Sequence, residues 1–131
     1  METKKLRYRR ILLKISGEAL KGGLEHGYDP KAVEETVARI AEARSLGVQI
    51  ALVVGAGNLW RGAGATGMDR VTADRMGMLA TVMNALCLKD AFRRAGVPAH
   101  IHASADLRPF APAFDREAAL EQLANGDLVI F

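Results

Sequence analysis

Apolar residues along this chain come in two rhythms, short continuous runs and helical stripes, and the two alternate from end to end. Residues 9–16, RRILLKIS, form a short apolar run closing on a Ser-Gly turn, which predicts a strand. A long loop rich in glycine, GEALKGGLEHGYDP, follows. Asp29 then stands as a helix cap before Pro30, whose missing N–H costs nothing at the first helical position. Val33, Val37 and Ile40 give that helix one apolar face, and Gly47 ends it. The run VQIALVV, 48–54, predicts a strand buried on both faces. A second glycine-rich loop, GAGNLWRGAGATGMD, leads into a long helix from about Val71 to Ala95, stopped by Gly96. PAHIHAS predicts a strand, ADLRPFAPAF a loop, DREAALEQLANG a short helix and DLVIF a last strand.

Strands alternating with helices at this spacing imply right-handed βαβ crossovers, hence an α/β fold with a mostly parallel sheet. Ligands of such sheets gather at the carboxyl ends of the strands, and both glycine-rich loops leave from there. A chain whose last element is a central-looking apolar strand looks cut, and the 131 residues are expected to be an N-terminal portion of something longer, with an apolar sheet edge exposed to aggregation.

Charge changes the picture less than its total suggests. The 18 Lys and Arg against 15 Asp and Glu leave a net +3. The arm at 1–10, METKKLRYRR, holds five basic residues and one acidic, so the remainder is near neutral. A basic arm on a neutral body argues against a nucleic-acid-binding face. The single Cys87 excludes an intrachain disulfide and suits a reducing cytoplasm. No apolar run approaches the ~20 residues of a membrane span.

The candidate chemistry lies in the two loops. Lys14, with Ser16 and Gly17 in the turn after it, is either a fixed cation aimed into the ligand crevice or a solvated lysine beside an ordinary turn. Gly55-Ala56-Gly57-Asn58 follows the second strand directly, where small residues expose successive N–H groups to an anion, and Arg61 adds a planar cation suited to phosphate. Otherwise the glycines serve only the backbone. Gly62 to Gly67 spells G-x-G-x-x-G, but too far from the first strand for a dinucleotide fingerprint, and reads better as a mobile loop. No P-loop motif occurs. Asp74, in the first turn of the long helix, either complements the helix dipole or accepts hydrogen bonds from a ligand hydroxyl. Met76, Leu79, Met83 and Leu86 form a stripe for the core or a subunit contact. Trp60 reads as a packing residue, and Arg93, Arg94 and Arg108 as solvated surface. His100 and His102, without a carboxylate or cysteine partner in view, are a weak metal signal, and no metal site is assigned.

Together ILLKISGEAL, GAGNLWRGAG and ADRMGMLATVMNAL closely resemble the bacterial UMP kinases of the amino acid kinase superfamily, over nearly the whole chain and in the same order. The resemblance implies a three-layer sandwich, with 11–131 the UMP-side portion and an ATP-side half absent, and transfer of the γ-phosphoryl group of ATP, carried with Mg2+, to UMP. It places Lys14, Ile15, Ser16 and Gly17 at the ATP phosphates, with Lys14 catalytic, and Gly57 and Arg61 on the ATP side of the second loop. Ala56 and Asp74 fall at UMP-binding positions, Asp74 on the ribose. The segment Gly22, Gly23, Leu24, Glu25, His26 and Gly27 corresponds to the region linked to activation by GTP. UTP inhibition, a hexameric homo-oligomer, a cytoplasmic location and no nucleic-acid or membrane partner are further implications.

Two departures stand out. The family has G-G-G-N where this chain has Gly55-Ala56-Gly57-Asn58, so UMP binding is expected to survive at Ala56 if its φ is negative and to weaken if positive. The family also continues past the strand matching LVIF with a G-T-G-N-P-type loop and an adenine site, so this chain is expected to be inactive alone. The competing expectations are another amino acid kinase acting on a carboxylate or carbamate, a nucleotide-sensing module without turnover, and nucleic-acid binding through the basic arm.

Overall fold

Residues 5–61 and 67–131 are described by the structure, a computed structural model. The apolar run at the start forms β1 (Arg10–Ile15), in which Ile11, Leu13 and Ile15 face inward and Arg10, Leu12 and Lys14 outward. Ser16 caps a single 3-10 turn over Gly17–Leu20, its Oγ accepting the Glu18 N–H at 3.2 Å. Helix α1 (Pro30–Ser45) begins where Asp29 and Pro30 predict it, with the Asp29 carboxylate accepting the Lys31 N–H. Gly47 closes it with φ 92°, a conformation that favours glycine. Strand β2 (Gln49–Val54) follows, then α2 (Arg70–Arg94), β3 (Ala99–Ile101), α3 (Arg116–Ala124) and β4 (Leu128–Ile130).

The four strands form one parallel sheet in the order β1-β2-β4-β3. Strand β1 pairs with β2 along its whole length, Lys14 lying beside Val53 and Ile15 beside Val54. Helices α1 and α2 cover one face, where Val33, Val37, Ile50, Leu52, Leu88, Phe92, Leu128 and Ile130 make the main core. On the other face α3 seals a smaller cluster of Ala51, Ala119, Leu123 and Val129. The result is the expected three-layer α/β arrangement, with one difference in thickness. Helix α3 does not reach β1, and Leu12 stays 63% exposed.

Several boundaries differ from the sequence pattern. Helix α2 starts at Arg70 because Asp69, one residue earlier, accepts the Thr72 N–H at 3.0 Å and its hydroxyl at 3.2 Å. Asp74 therefore lies in the second turn, and the interaction with the helix N-terminus expected of it belongs to Asp69. The face of α2 against the sheet is made largely of small residues, Ala73, Ala80, Ala85 and Ala91, with Leu88 and Phe92 filling its later turns. Small side chains bring helix and sheet close, and the bulkier stripe turns the other way: Met76, Leu79 and Met83 are exposed, so they are not core. Leu86 alone of that stripe packs against the core. No described helix is long and apolar enough to cross a membrane.

Candidate functional site

Both glycine-rich turns leave the carboxyl edge of the sheet from neighbouring strands, and parallel pairing brings them side by side. The Gly55 N–H donates to the Ile15 carbonyl at 2.9 Å, carrying the ladder past the end of β1. Gly17 is buried against the second turn. A Cβ there would stand 2.5 Å from Asn58 Oδ1, 2.8 Å from the Gly55 carbonyl and 2.9 Å from the Gly57 nitrogen, so only glycine lets the two backbones meet. Gly57 has no such demand on it, the nearest neighbour of a Cβ being Glu18 Cγ at 3.5 Å.

Beneath this junction lies a polar core that the sequence pattern did not disclose. Asn58 and Asn84, 1% and 0% exposed, form a reciprocal amide pair: Asn84 Nδ2 donates to Asn58 Oδ1 at 2.8 Å and Asn58 Nδ2 to Asn84 Oδ1 at 3.2 Å. Asn84 Nδ2 also donates to the Gly55 carbonyl at 2.7 Å, and Asn58 Nδ2 to the Gly27 carbonyl at 3.1 Å. The Tyr28 hydroxyl donates to Asn84 Oδ1 at 2.7 Å, and the Gly27 N–H to the Asn58 carbonyl at 2.8 Å. One residue of α2 thus holds the end of the first loop and the start of the second. Burial, with a smaller push from neighbouring Cys87, raises the Tyr28 phenol to about 12, and burial likewise pushes the Cys87 thiol up. Among the described residues every buried side-chain polar atom has a partner. An asparagine inside a helical stripe looks like surface in a sequence, and only the Asn58 that ends GAGN, on the adjoining loop, hinted at a mate.

The charged residues sit outside this core. Lys14 is exposed at the end of β1 and forms no ion pair among the described residues. Arg61 is exposed and bends back over Gly57 to pair with Glu18, joining the two turns from above. Asp74 is also exposed and pairs with Arg70 at 3.0 Å, one turn away on α2. Ile15 is half-buried under the first turn, and Ser16 serves as the cap of that turn. Ala56 has a negative φ, as do all described residues other than glycine, so its methyl group leaves its N–H free to make contacts. The segment Gly22–Gly27 is largely exposed and is anchored at its far end by Asn58. The loop residues 62–66, within the G-x-G-x-x-G stretch, lie outside the described residues.

Beside the second turn opens a cleft of about 330 Å3, from Val53 and Val54 at the end of β2, past Thr81 and Val82 of α2, to Phe114 and Phe131. Trp60 packs as expected, its indole N–H donating to the Ala73 carbonyl at 2.9 Å. His100 does have a carboxylate partner, Asp127 at 2.9 Å, contrary to the sequence reading, because β3 and β4 are neighbours in the sheet. No group of three metal-ligating side chains occurs among the described residues, and the carboxylates nearest the turns, Glu18 and Asp74, are occupied by arginines.

A parallel sheet with two interlocked glycine turns at its carboxyl edge, flanked by a lysine and an arginine, is an α/β architecture whose turn N–H groups and cations suit an anion. The amino acid kinase family matches residues 9–131, and the chain belongs to that family. It is 49% identical to uridylate kinase of Pseudomonas aeruginosa over 127 residues, covering 95% of this chain and 52% of that protein. It is 46% identical to uridylate kinase of Stutzerimonas stutzeri, covering 100% of this chain and 54% of the other. The crystal structure of UMP kinase from Bacillus anthracis superposes with a TM-score of 0.89 at 33% identity, over 95% of this chain and 52% of that one. UMP kinase from Ureaplasma parvum gives 0.87 at 28% identity, over 96% and 54%. The chain spans about half the length of the curated relatives it matches.

Proposed function

We propose that this chain supplies the acceptor side of a UMP kinase, in which an oxygen of the UMP phosphate attacks the γ-phosphorus of ATP, the β–γ bridging bond breaks, and UDP and ADP leave. The carrying observation is the junction of the two glycine turns, held from below by Asn84 and flanked above by Lys14 and Arg61. Likeness to uridylate kinases supports UMP as the acceptor. Such a transfer asks the protein for position and charge rather than covalent chemistry, and the acceptor phosphate needs no general base. Backbone N–H groups of the two turns are offered to phosphate oxygens together because the missing Cβ of Gly17 lets the turns stand against each other. Lys14 supplies a positive charge that no carboxylate among the described residues pairs. Arg61 must exchange Glu18 for phosphate, and Asp74 must exchange Arg70 for the ribose hydroxyls. Both exchanges are cheap, since exposed ion pairs contribute about 0–1 kcal/mol. Magnesium enters as part of the ATP substrate.

Three further assignments belong to this reading. The segment Gly22–Gly27, tied to the second turn through Asn58, is the path for GTP activation, with UTP as inhibitor. The exposed Met76, Leu79 and Met83 face of α2 is the contact between subunits of a cytoplasmic homo-oligomer, a hexamer. Turnover requires the remaining half of the family's length, so this chain alone binds UMP without catalysing transfer. Titration calorimetry with UMP, alongside a coupled assay of ADP release, tests the reading. UMP binding in preference to carboxylate or carbamate acceptors, with no turnover, is expected. Failure to bind UMP overturns the assignment, and UMP-dependent ADP release at ordinary enzyme rates overturns the requirement for a second half.

A further inference from the structure

His102 is buried, 5% exposed, just past the end of β3, and nothing in the transfer reaction described above uses it. Both of its ring nitrogens are committed. The backbone N–H of Asp115 donates to Nδ1 at 3.2 Å, and Nε2 lies 2.8 Å from Gln122 Oε1 on α3. A backbone N–H can only donate, so Nδ1 must present its lone pair, and the proton of the neutral ring must sit on Nε2, where it meets an amide oxygen. The two contacts select one tautomer.

What that ring holds is a wall of the cleft. Asp115 is the cap of α3, its carboxylate accepting the Ala118 N–H at 3.1 Å. Phe114, one residue earlier, is 54% exposed and has little packing of its own to fix it. Its ring meets that of His102 edge-on at 5.8 Å, His102 meets Phe131 at 5.8 Å, and the two phenylalanines stand 5.7 Å apart. All three rings line the 330 Å3 cleft beside the second glycine turn. The loop that begins at Ala103 returns to it, the Phe114 N–H donating to the Ala103 carbonyl at 2.9 Å, and His102 stands at that closure.

We propose that His102 is a positioning residue: as the Nε2–H tautomer it clamps the start of α3 to the sheet and so sets the Phe114 and Phe131 rings against the planar base of the acceptor nucleotide. The proposal rests on the acceptor-side reading of this chain given above, and its test separates the two. In the full chain at pH 8, 15N shifts of the imidazole are expected to show Nε2 protonated; a proton on Nδ1 overturns the clamp. His102→Asn places an oxygen near the Nδ1 position and keeps an acceptor for the Asp115 N–H, whereas His102→Gln does not. Hydrogen exchange at the Asp115 amide is expected to stay within about twofold in His102→Asn and to rise about tenfold or more in His102→Gln, with β1 and β2 amides unchanged in both. UMP affinity should follow the same split, nearly kept by Asn and reduced about tenfold by Gln. Equal exchange and equal affinity in the two variants overturn the proposal. If the unaltered chain fails to bind UMP, the acceptor reading falls, while tautomer and exchange still decide the clamp.

Discussion

The junction of the two glycine turns has an underside and an upper side, and they are built by opposite rules. Underneath, Asn58, Asn84 and Tyr28 are buried or half-buried, hydrogen-bonded and neutral, and their partners are backbone atoms or one another. Above, Lys14, Arg61, Glu18 and Asp74 are exposed and charged, and the ion pairs of the last three among the described residues are with other exposed side chains. A buried amide pair is costly to break and has no substitute partner within reach. An exposed ion pair exchanges its partner at little cost. The first arrangement fixes where the backbone stands; the second leaves the charges free for a ligand. Rigidity and availability are thus divided between two layers a few ångströms apart.

The sharpest way to break this contrast is Asn84→Ala. It leaves Asn58 Oδ1, the Tyr28 hydroxyl and the Gly55 carbonyl without the Asn84 partner, and should cost about 3 kcal/mol in urea denaturation. A loss under about 1 kcal/mol would mean the underside is not the anchor. Gly17→Ala comes next. Its methyl group would press on backbone atoms of the second turn, and about 2 kcal/mol of destabilisation is expected, with weaker phosphate binding as the turns part.

Tyr28 offers a view of the same layer through pH. Burial, then Cys87, pushes its phenol up to about 12, above the ordinary value near 10, so the folded state holds the proton more tightly than the unfolded chain. That contribution is fully present below pH 10 and is lost as pH rises through 10 to 12. Stability measured across that window should fall in the unaltered chain, and Tyr28→Phe should remove this component of the fall. The smallest effect on stability belongs to the upper layer. Lys14→Ala should change the unfolding free energy in urea by no more than about 0.5 kcal/mol while weakening phosphate binding, read by calorimetry with inorganic tripolyphosphate, about tenfold. A stability loss comparable to that of Asn84→Ala would erase the distinction between the layers.

What could be read before folding follows the same division. The Asp29-Pro30 start, the Gly47 stop and the run QIALVV are local signals, and each lies within a residue or two of its predicted place. Lys14 and Arg61 were visible because cations beside glycine turns are a local pattern too. The underside was not, because Asn84 gains its meaning from Asn58, 26 residues away, and from Gly55, 29 residues away. The Met76, Leu79 and Met83 stripe left core and subunit contact open for a related reason. Two faces of α2 carry apolar residues, and only docking against the sheet decides that the alanine face is inside. The Asp127 partner of His100 likewise depends on strand order, which no single strand's sequence encodes.

Strand order has one more consequence, for assembly in time. Among the described residues β3 pairs with β4 alone, and β4 also pairs with β2. The last strand in the chain is therefore the bridge between the β1–β2 hydrogen-bonded pair and β3. During synthesis the first pair can form once residue 54 has emerged, but β3 must wait for residues 128–130 before it gains any ladder hydrogen bonds. Until then the position beside β2 that β4 fills in the finished sheet stays open, its ladder groups unpaired.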